Sequence, residues 1–144
     1  MQRKRKGEMS FKDMFKDGIH DDAYCEHCLK STNHRGTISY SCNPLTRYII
    51  IRMNLSNTFH NKYIRYKMRV KNFNPDKIEI PGIQETFKLK SAILHESLSN
   101  SNDGHYTALI RSDKKWFSLS DTECTSVNFN EELKDFYVLL LEKQ

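Results

Sequence analysis

No window of this 144-residue chain approaches the roughly 18 consecutive apolar residues that a membrane-spanning helix needs. The start, Met1-Gln2-Arg3-Lys4-Arg5-Lys6, runs into Gly7-Glu8 without the apolar core of a secretory signal. A soluble, intracellular protein of the cytoplasm or nucleus, without a membrane partner, is therefore expected. Internal repeats, low-complexity tracts and an interdomain linker are also lacking. Apolar residues make up 38% of the chain, somewhat below the usual globular range, which allows one core but not a generous one. None of the four cysteines, Cys25, Cys28, Cys42 and Cys124, sits in a glycine-flanked turn before an apolar helix.

What is present is one domain's worth of chain with a net charge of +5 and four of its positive charges bunched from Arg3 to Lys6. Residues 1–9 are expected to form a basic, solvated tail and residues 10–144 the folded domain. Phe11, Met14 and Phe15 recur at helical spacing between Ser10 as cap and Gly18 as stop, which predicts a short amphipathic helix. Thr37-Ile38-Ser39-Tyr40 alternates like a strand before the turn signal Asn43-Pro44. Tyr48 to Leu55 contains three consecutive isoleucines and predicts a strand covered on both faces. Further strands are expected over Phe87 to His95, Tyr106 to Arg111, Trp116 to Leu119 and Phe136 to Leu141, with an exposed hairpin region from Asn57 to Pro81 and a polar surface loop from Ser97 to Gly104.

The most informative word is Gly104-His105-Tyr106-Thr107-Ala108, from which an apolar run leads out through Leu109 and Ile110. His105 thus stands at the start of a strand, behind a loop ending in glycine, as a general base held against a rigid element would. A histidine in any strand is more often structural than catalytic, so the order of the parts after it matters. Trp116-Phe117-Ser118-Leu119-Ser120-Asp121 and Phe136-Tyr137-Val138-Leu139-Leu140-Leu141 follow. Histidine strand, acid strand and closing strand in this order resemble the C-terminal half of the ubiquitin-specific protease family, which comprises papain-like cysteine proteases that hydrolyse the bond after ubiquitin's C-terminal glycine.

The resemblance runs from Ser10 to Lys143 and is strongest from Ala92 on. It implies an α+β, predominantly antiparallel β palm with a partial zinc-finger-like fingers segment. His105 would be the base, Asp121 the orienting acid, and Gly104 and Tyr106 substrate contacts. Two departures stand out. The family's Asn-x-Gly-Asn-x-Cys box has no counterpart here, and the usual third catalytic member, Asp or Asn, is Ser120, whose hydroxyl can accept a hydrogen bond but adds no charge. Asp121 could equally cap a turn into Thr122-Glu123. Either a separate chain or an upstream segment supplies the nucleophile, with Met1 favouring the former, or the protein is an inactive ubiquitin-binding remnant, a pseudoenzyme.

Cys25 and Cys28 have the spacing of one zinc knuckle, but a tetrahedral ion needs two more ligands and the family's other cysteine pair is missing. His27, His34 and Cys42 are the nearest substitutes, and none has the spacing of a second knuckle. Catalysis itself requires no cofactor; a structural zinc is the one metal the resemblance implies. Ubiquitin or a ubiquitinated protein is the implied partner. The basic stretch Asn57 to Lys77, interleaved with Phe59, Tyr63, Tyr66 and Phe73, has the composition of a nucleic-acid surface but reads more simply as a solvated hairpin.

Overall fold

The computed structural model describes residues 7–15, 18–53, 56–59, 62–65, 68–97, 104–129 and 133–144. The strands, in chain order, are β1 (Gly7–Met9), β2 (Gly18–Cys25), β3 (Lys30–Gly36), β4 (Tyr48–Arg52), β5 (Ser56–Phe59), β6 (Lys62–Arg65), β7 (Met68–Val70), β8 (Ile78–Glu79), β9 (Thr86–Ser97), β10 (Gly104–Ser112), β11 (Lys115–Ser120), β12 (Glu123–Val127), β13 (Leu133–Lys134) and β14 (Phe136–Lys143). A seven-stranded sheet dominates, in the order β12-β11-β10-β9-β14-β4 with β8 paired to β9. Among the described residues its strand pairings are all antiparallel. The hairpins β2-β3 and β5-β6 and a small β1-β7-β13 sheet complete the description. No helix among the described residues is long and apolar enough to cross a membrane.

Period-two alternation builds the core. Phe87 and Leu89 on β9 and Leu139 and Leu141 on β14 are fully buried, and register places Leu141 opposite Leu89 and Leu139 opposite Ala92. The segments that cover this face are short and aromatic. Phe11 meets Phe73 edge-on at 5.5 Å, Phe15 meets Tyr40 at 5.3 Å, and Trp116 lies 4.7 Å from Phe129. On the opposite face the alternate residues Ile50, Ile93, Tyr106 and Ile110 remain partly exposed, from 36% at Ile110 to 70% at Ile50.

Several expectations change. The helix after Ser10 is a single 3-10 turn, Phe11–Phe15, whose start is fixed by Ser10 and Asp13 hydrogen-bonding each other. Thr37 to Tyr40 forms no strand. Tyr40 is held instead by its ring contact with Phe15 and lies close to Gly82, whose φ of 82° and 3.1 Å approach of a built Cβ to the Tyr40 carbonyl explain the glycine. The isoleucine strand is not covered on both faces: it ends at Arg52, lies at the sheet's edge and alternates between half-buried and exposed. Residues 70–80 are not wholly exposed either: Val70, Phe73, Ile78 and Ile80 belong to the core, while the polar residues between them stay in solvent. Burial of Phe73 removes it from any base-stacking surface, while Tyr66 falls outside the described residues. The basic start, Arg3 to Lys6, and most of the polar loop before Gly104 also lie outside them. Gly7–Met9 pairs in parallel with Met68–Val70.

Glu142 is the buried charge of the sheet, with a side chain 10% exposed. Arg47 Nη2 at 3.1 Å, Lys88 Nζ at 3.2 Å and Lys90 Nζ at 3.5 Å surround it, and the Tyr48 hydroxyl donates at 3.2 Å. The Lys88 hydrogen bond, with Arg47 and Lys90 in support, brings its carboxyl down to about 2 against burial, which pushes the other way. A carboxyl held below its ordinary value of 4.5 adds stability that is complete above that value and disappears as pH falls toward about 2. Chemical denaturation across this window should therefore show Glu142→Gln losing stability at neutral pH and converging on wild type at the acid end. Parallel curves for the two proteins would remove Glu142 from this role.

Candidate active site

The β9-β10 pairing puts His105 opposite Glu96 and Tyr106 opposite His95 at one end of the main sheet. β10 then turns back through Asp113 and Lys114 into β11, with Asp113 at φ 54°. Register runs from Ser112 opposite Lys115 to Ala108 opposite Leu119. One step further lie Thr107 and Ser120, so His105, two residues back from Thr107, shares the face of Ser120 and sits diagonal to it. The side chains meet: His105 Nε2 and Ser120 Oγ are 2.6 Å apart.

Asp121 follows by one residue and would point to the other face, but the chain leaves the strand there with φ 49°. Its Oδ2 comes to 3.9 Å from His105 Nε2, ion-pair range without a hydrogen bond, and the side chain is 82% exposed. The hydrogen bond to the His105 ring is thus made with Ser120, because strand parity favours the serine, while Asp121 approaches the same ring nitrogen. With a proton on Nε2 donated to Ser120, the other ring nitrogen, Nδ1, carries the lone pair that a base uses.

Gly104 opens β10 and is exposed. Tyr106, 56% exposed, packs its ring 4.2 Å from buried His95 and 6.2 Å from Tyr137. Tyr137 was not among the expected site residues, and its only sequence signal is its place beside Phe136 at the start of the closing strand. His95 itself is buried.

The described polar partners of His105 are a hydroxyl and a carboxylate, not a thiol. Cys124 is exposed on β12 opposite Leu119, on the face away from His105. Cys42 lines an apolar groove of about 790 Å³ between the 3-10 turn and β4, with Phe15, Tyr40, Ile49, Ile51 and Met53. Cys25 and Cys28 bracket the tip of the β2-β3 hairpin. The backbone N–H of Cys28, then the Cys28 side chain and the N–H of His27, hydrogen-bond the Cys25 sulfur and hold its thiol below the ordinary value. Zinc needs two ligands beyond this pair, and among the described residues no group of three metal-binding side chains forms. The described donors of one chain therefore do not fit a closed zinc site. His34 lies on β3, opposite His20.

The family model for ubiquitin carboxyl-terminal hydrolase matches residues 1–141. No curated protein is similar enough in sequence to match. Among solved structures, an essential yeast splicing factor superposes with a TM-score of 0.56 at 20% identity, over 69% of this chain and 25% of that one. The SAGA Ubp8/Sgf11/Sus1/Sgf73 DUB module bound to ubiquitin aldehyde gives 0.54 at 15% identity, over 92% and 32%. The same module in another structure gives 0.59 at 12% identity, over 92% and 29%. At these identities the likeness is one of fold, and the chain spans a quarter to a third of the chains it matches.

Proposed function

Because the chain belongs to the ubiquitin carboxyl-terminal hydrolase family, we propose that it carries the base half of a cysteine-type deubiquitinase site on a papain-like palm. The 2.6 Å contact between His105 and Ser120 at the mouth of β10 is the observation that carries this reading. His105 acts as base and then acid: it accepts the proton of a thiol, the thiolate attacks the carbonyl carbon of ubiquitin's C-terminal glycine, and the imidazolium returns the proton to the departing amine. Water then hydrolyses the thioester and frees the thiol. Ser120 fixes the ring, Asp121 stands 3.9 Å from the same ring nitrogen, and Gly104 and Tyr106 border the substrate tail.

The thiol comes from outside the four cysteines of these residues, from a separate chain or a further segment. The structural neighbours include a module bound to ubiquitin aldehyde, which supports ubiquitin as the ligand here. An inactive ubiquitin-binding module is the second reading, favoured by the settings of the cysteines. Neither reading requires a metal for catalysis, and both place the protein inside the cell.

Titrating isotopically labelled ubiquitin with the chain tests both readings. Resonances of the ubiquitin C-terminal tail should shift, and Tyr106→Ala should weaken the effect roughly tenfold or more, since aromatic contacts dominate such surfaces. An unperturbed tail at saturating protein would contradict the reading. Ser120→Ala provides a second check through the nitrogen shifts of the His105 imidazole, which should move toward a mixture of tautomers once the hydroxyl is lost. Unchanged shifts would mean that Ser120 does not orient the ring.

A further inference from the structure

We propose that the open edge of β4 takes up, as an added antiparallel strand, an extended peptide of a partner protein in which acidic residues bracket a short apolar run. Successive residues of an antiparallel strand direct their amides and carbonyls to opposite sides. The Met53 amide donates to the Tyr137 carbonyl and the Lys143 amide to the Arg47 carbonyl, both at 2.8 Å, in the register that sets Ile51 opposite Leu139 and Ile49 opposite Leu141. The odd-numbered residues of β4 therefore bond β14. Tyr48, Ile50 and Arg52 turn their amides and carbonyls the other way, and among the described residues no strand pairs with that side.

β4 carries little of what protects natural sheet edges. Its sequence, Tyr-Ile-Ile-Ile-Arg, contains neither proline nor lysine, its ladder with β14 has no bulge, and Ile50 is 70% exposed. The strand at the other end of the sheet, β12, is polar: Glu-Cys-Thr-Ser-Val. An added strand forms its ladder with the outward backbone groups of β4 and draws its specificity from what its alternate side chains meet.

Shape and charge select the occupant. Side chains opposite Ile49 and Ile51 face the apolar groove of about 790 Å³ that Phe15, Tyr40, Ile80 and Ile83 complete, and these positions call for apolar residues. The residue opposite Ile50 meets an exposed isoleucine and suits a β-branched partner. Residues opposite Arg52 and Tyr48 emerge beside cations: Arg52 is exposed, and the Arg47 guanidinium lies 5.2 Å from the centre of the Tyr48 ring. Glu142 draws on Arg47, but Lys88 and Lys90 stand against the same carboxylate, so the cluster keeps an excess of positive charge. Asp13, the carboxylate in the groove lining, accepts a hydrogen bond from Ser10 Oγ at 2.9 Å. Acidic ends therefore complement this edge, whereas the chain's own start, Arg3 to Lys6, carries the same sign as the edge. β9 and β14 separate β4 from β10, so docking here does not depend on His105.

The test is titration of a fluorescent, end-capped peptide containing Glu-Ile-Val-Ile-Glu with the purified chain, read by anisotropy and by amide hydrogen exchange. Saturable binding is expected, with the Tyr48, Ile50 and Arg52 amides gaining protection while those of Ile49 and Ile51, already bonded to β14, change little. Arg52→Glu should weaken binding about tenfold or more, and a peptide with lysine in place of both glutamates should bind the wild type as weakly. Ile50→Pro, which removes an outward amide, should abolish binding with an unchanged circular dichroism spectrum. N-methylation of the peptide's valine should do the same without altering the protein. Equal affinity for the lysine peptide, binding that leaves Tyr48, Ile50 and Arg52 unprotected, protection of these amides in the chain alone as its concentration rises, the mark of a second copy pairing there, or no binding up to the peptide's solubility limit would each overturn the proposal.

Discussion

Phe136→Ala is expected to cost about 3–5 kcal/mol, a large share of the roughly 5–15 kcal/mol that holds a domain folded. Phe136 is fully buried, and it opens β14 opposite Leu94 just before a register shift in the ladder. The residue before it, Asp135, takes φ 53° and accepts a hydrogen bond from the His95 amide at 2.8 Å. A void at Phe136 therefore loosens a kinked, tightly specified junction that has little room to collapse. The same junction supports the end of β9 on which the His105 strand rests, so the variant should also broaden the resonances of His105. Ile50→Ala, at an exposed edge position, should change stability by no more than about 0.5 kcal/mol. Denaturant midpoints at constant m-value measure both, and a cost for Phe136→Ala below about 1 kcal/mol would contradict this account of the core.

Strands β4, β9, β10, β11 and β14 of the main sheet were legible, from period-two alternation as in Phe87 to His95 or from a continuous apolar run as in Phe136 to Leu141, whereas the two-residue β8 and the polar β12 were not. The β2-β3 hairpin was not legible: Gly18–Cys25 and Lys30–Gly36 are polar, and their pairing rests on backbone hydrogen bonds that leave no hydrophobic pattern. The isoleucine run misled for a related reason, since composition reports β-propensity but not whether a strand has a neighbour on its outer side. Residues 70–80 read as exposed because Lys71, Asn72, Asn74, Asp76 and Lys77 hid the buried Phe73, Ile78 and Ile80 between them.

At the site, the histidine was legible from its place at the head of a strand, and its partner was not. Charge pointed to Asp121, whereas the hydrogen bond goes to Ser120, because strand parity and the left-handed backbone at Asp121 decide which side chain meets the ring. Such choices depend on a register that only the folded hairpin fixes. The same hairpin geometry explains why Asp121 still comes within 3.9 Å despite pointing away by parity.

The central claim, a base without its own nucleophile, is tested most directly by incubating the chain with ubiquitin bearing a C-terminal thiol-reactive electrophile and measuring intact mass. None of Cys25, Cys28, Cys42 and Cys124 is placed as a described partner of His105, and a base without an adjacent thiol retains little of the acyl-transfer mechanism. The predicted result is an unmodified chain, with labelling appearing only on an added cysteine-bearing hydrolase segment and falling by about 100-fold or more with His105→Ala, as loss of a general base would require. A stoichiometric adduct on any of the four cysteines that disappears in His105→Ala would contradict the account.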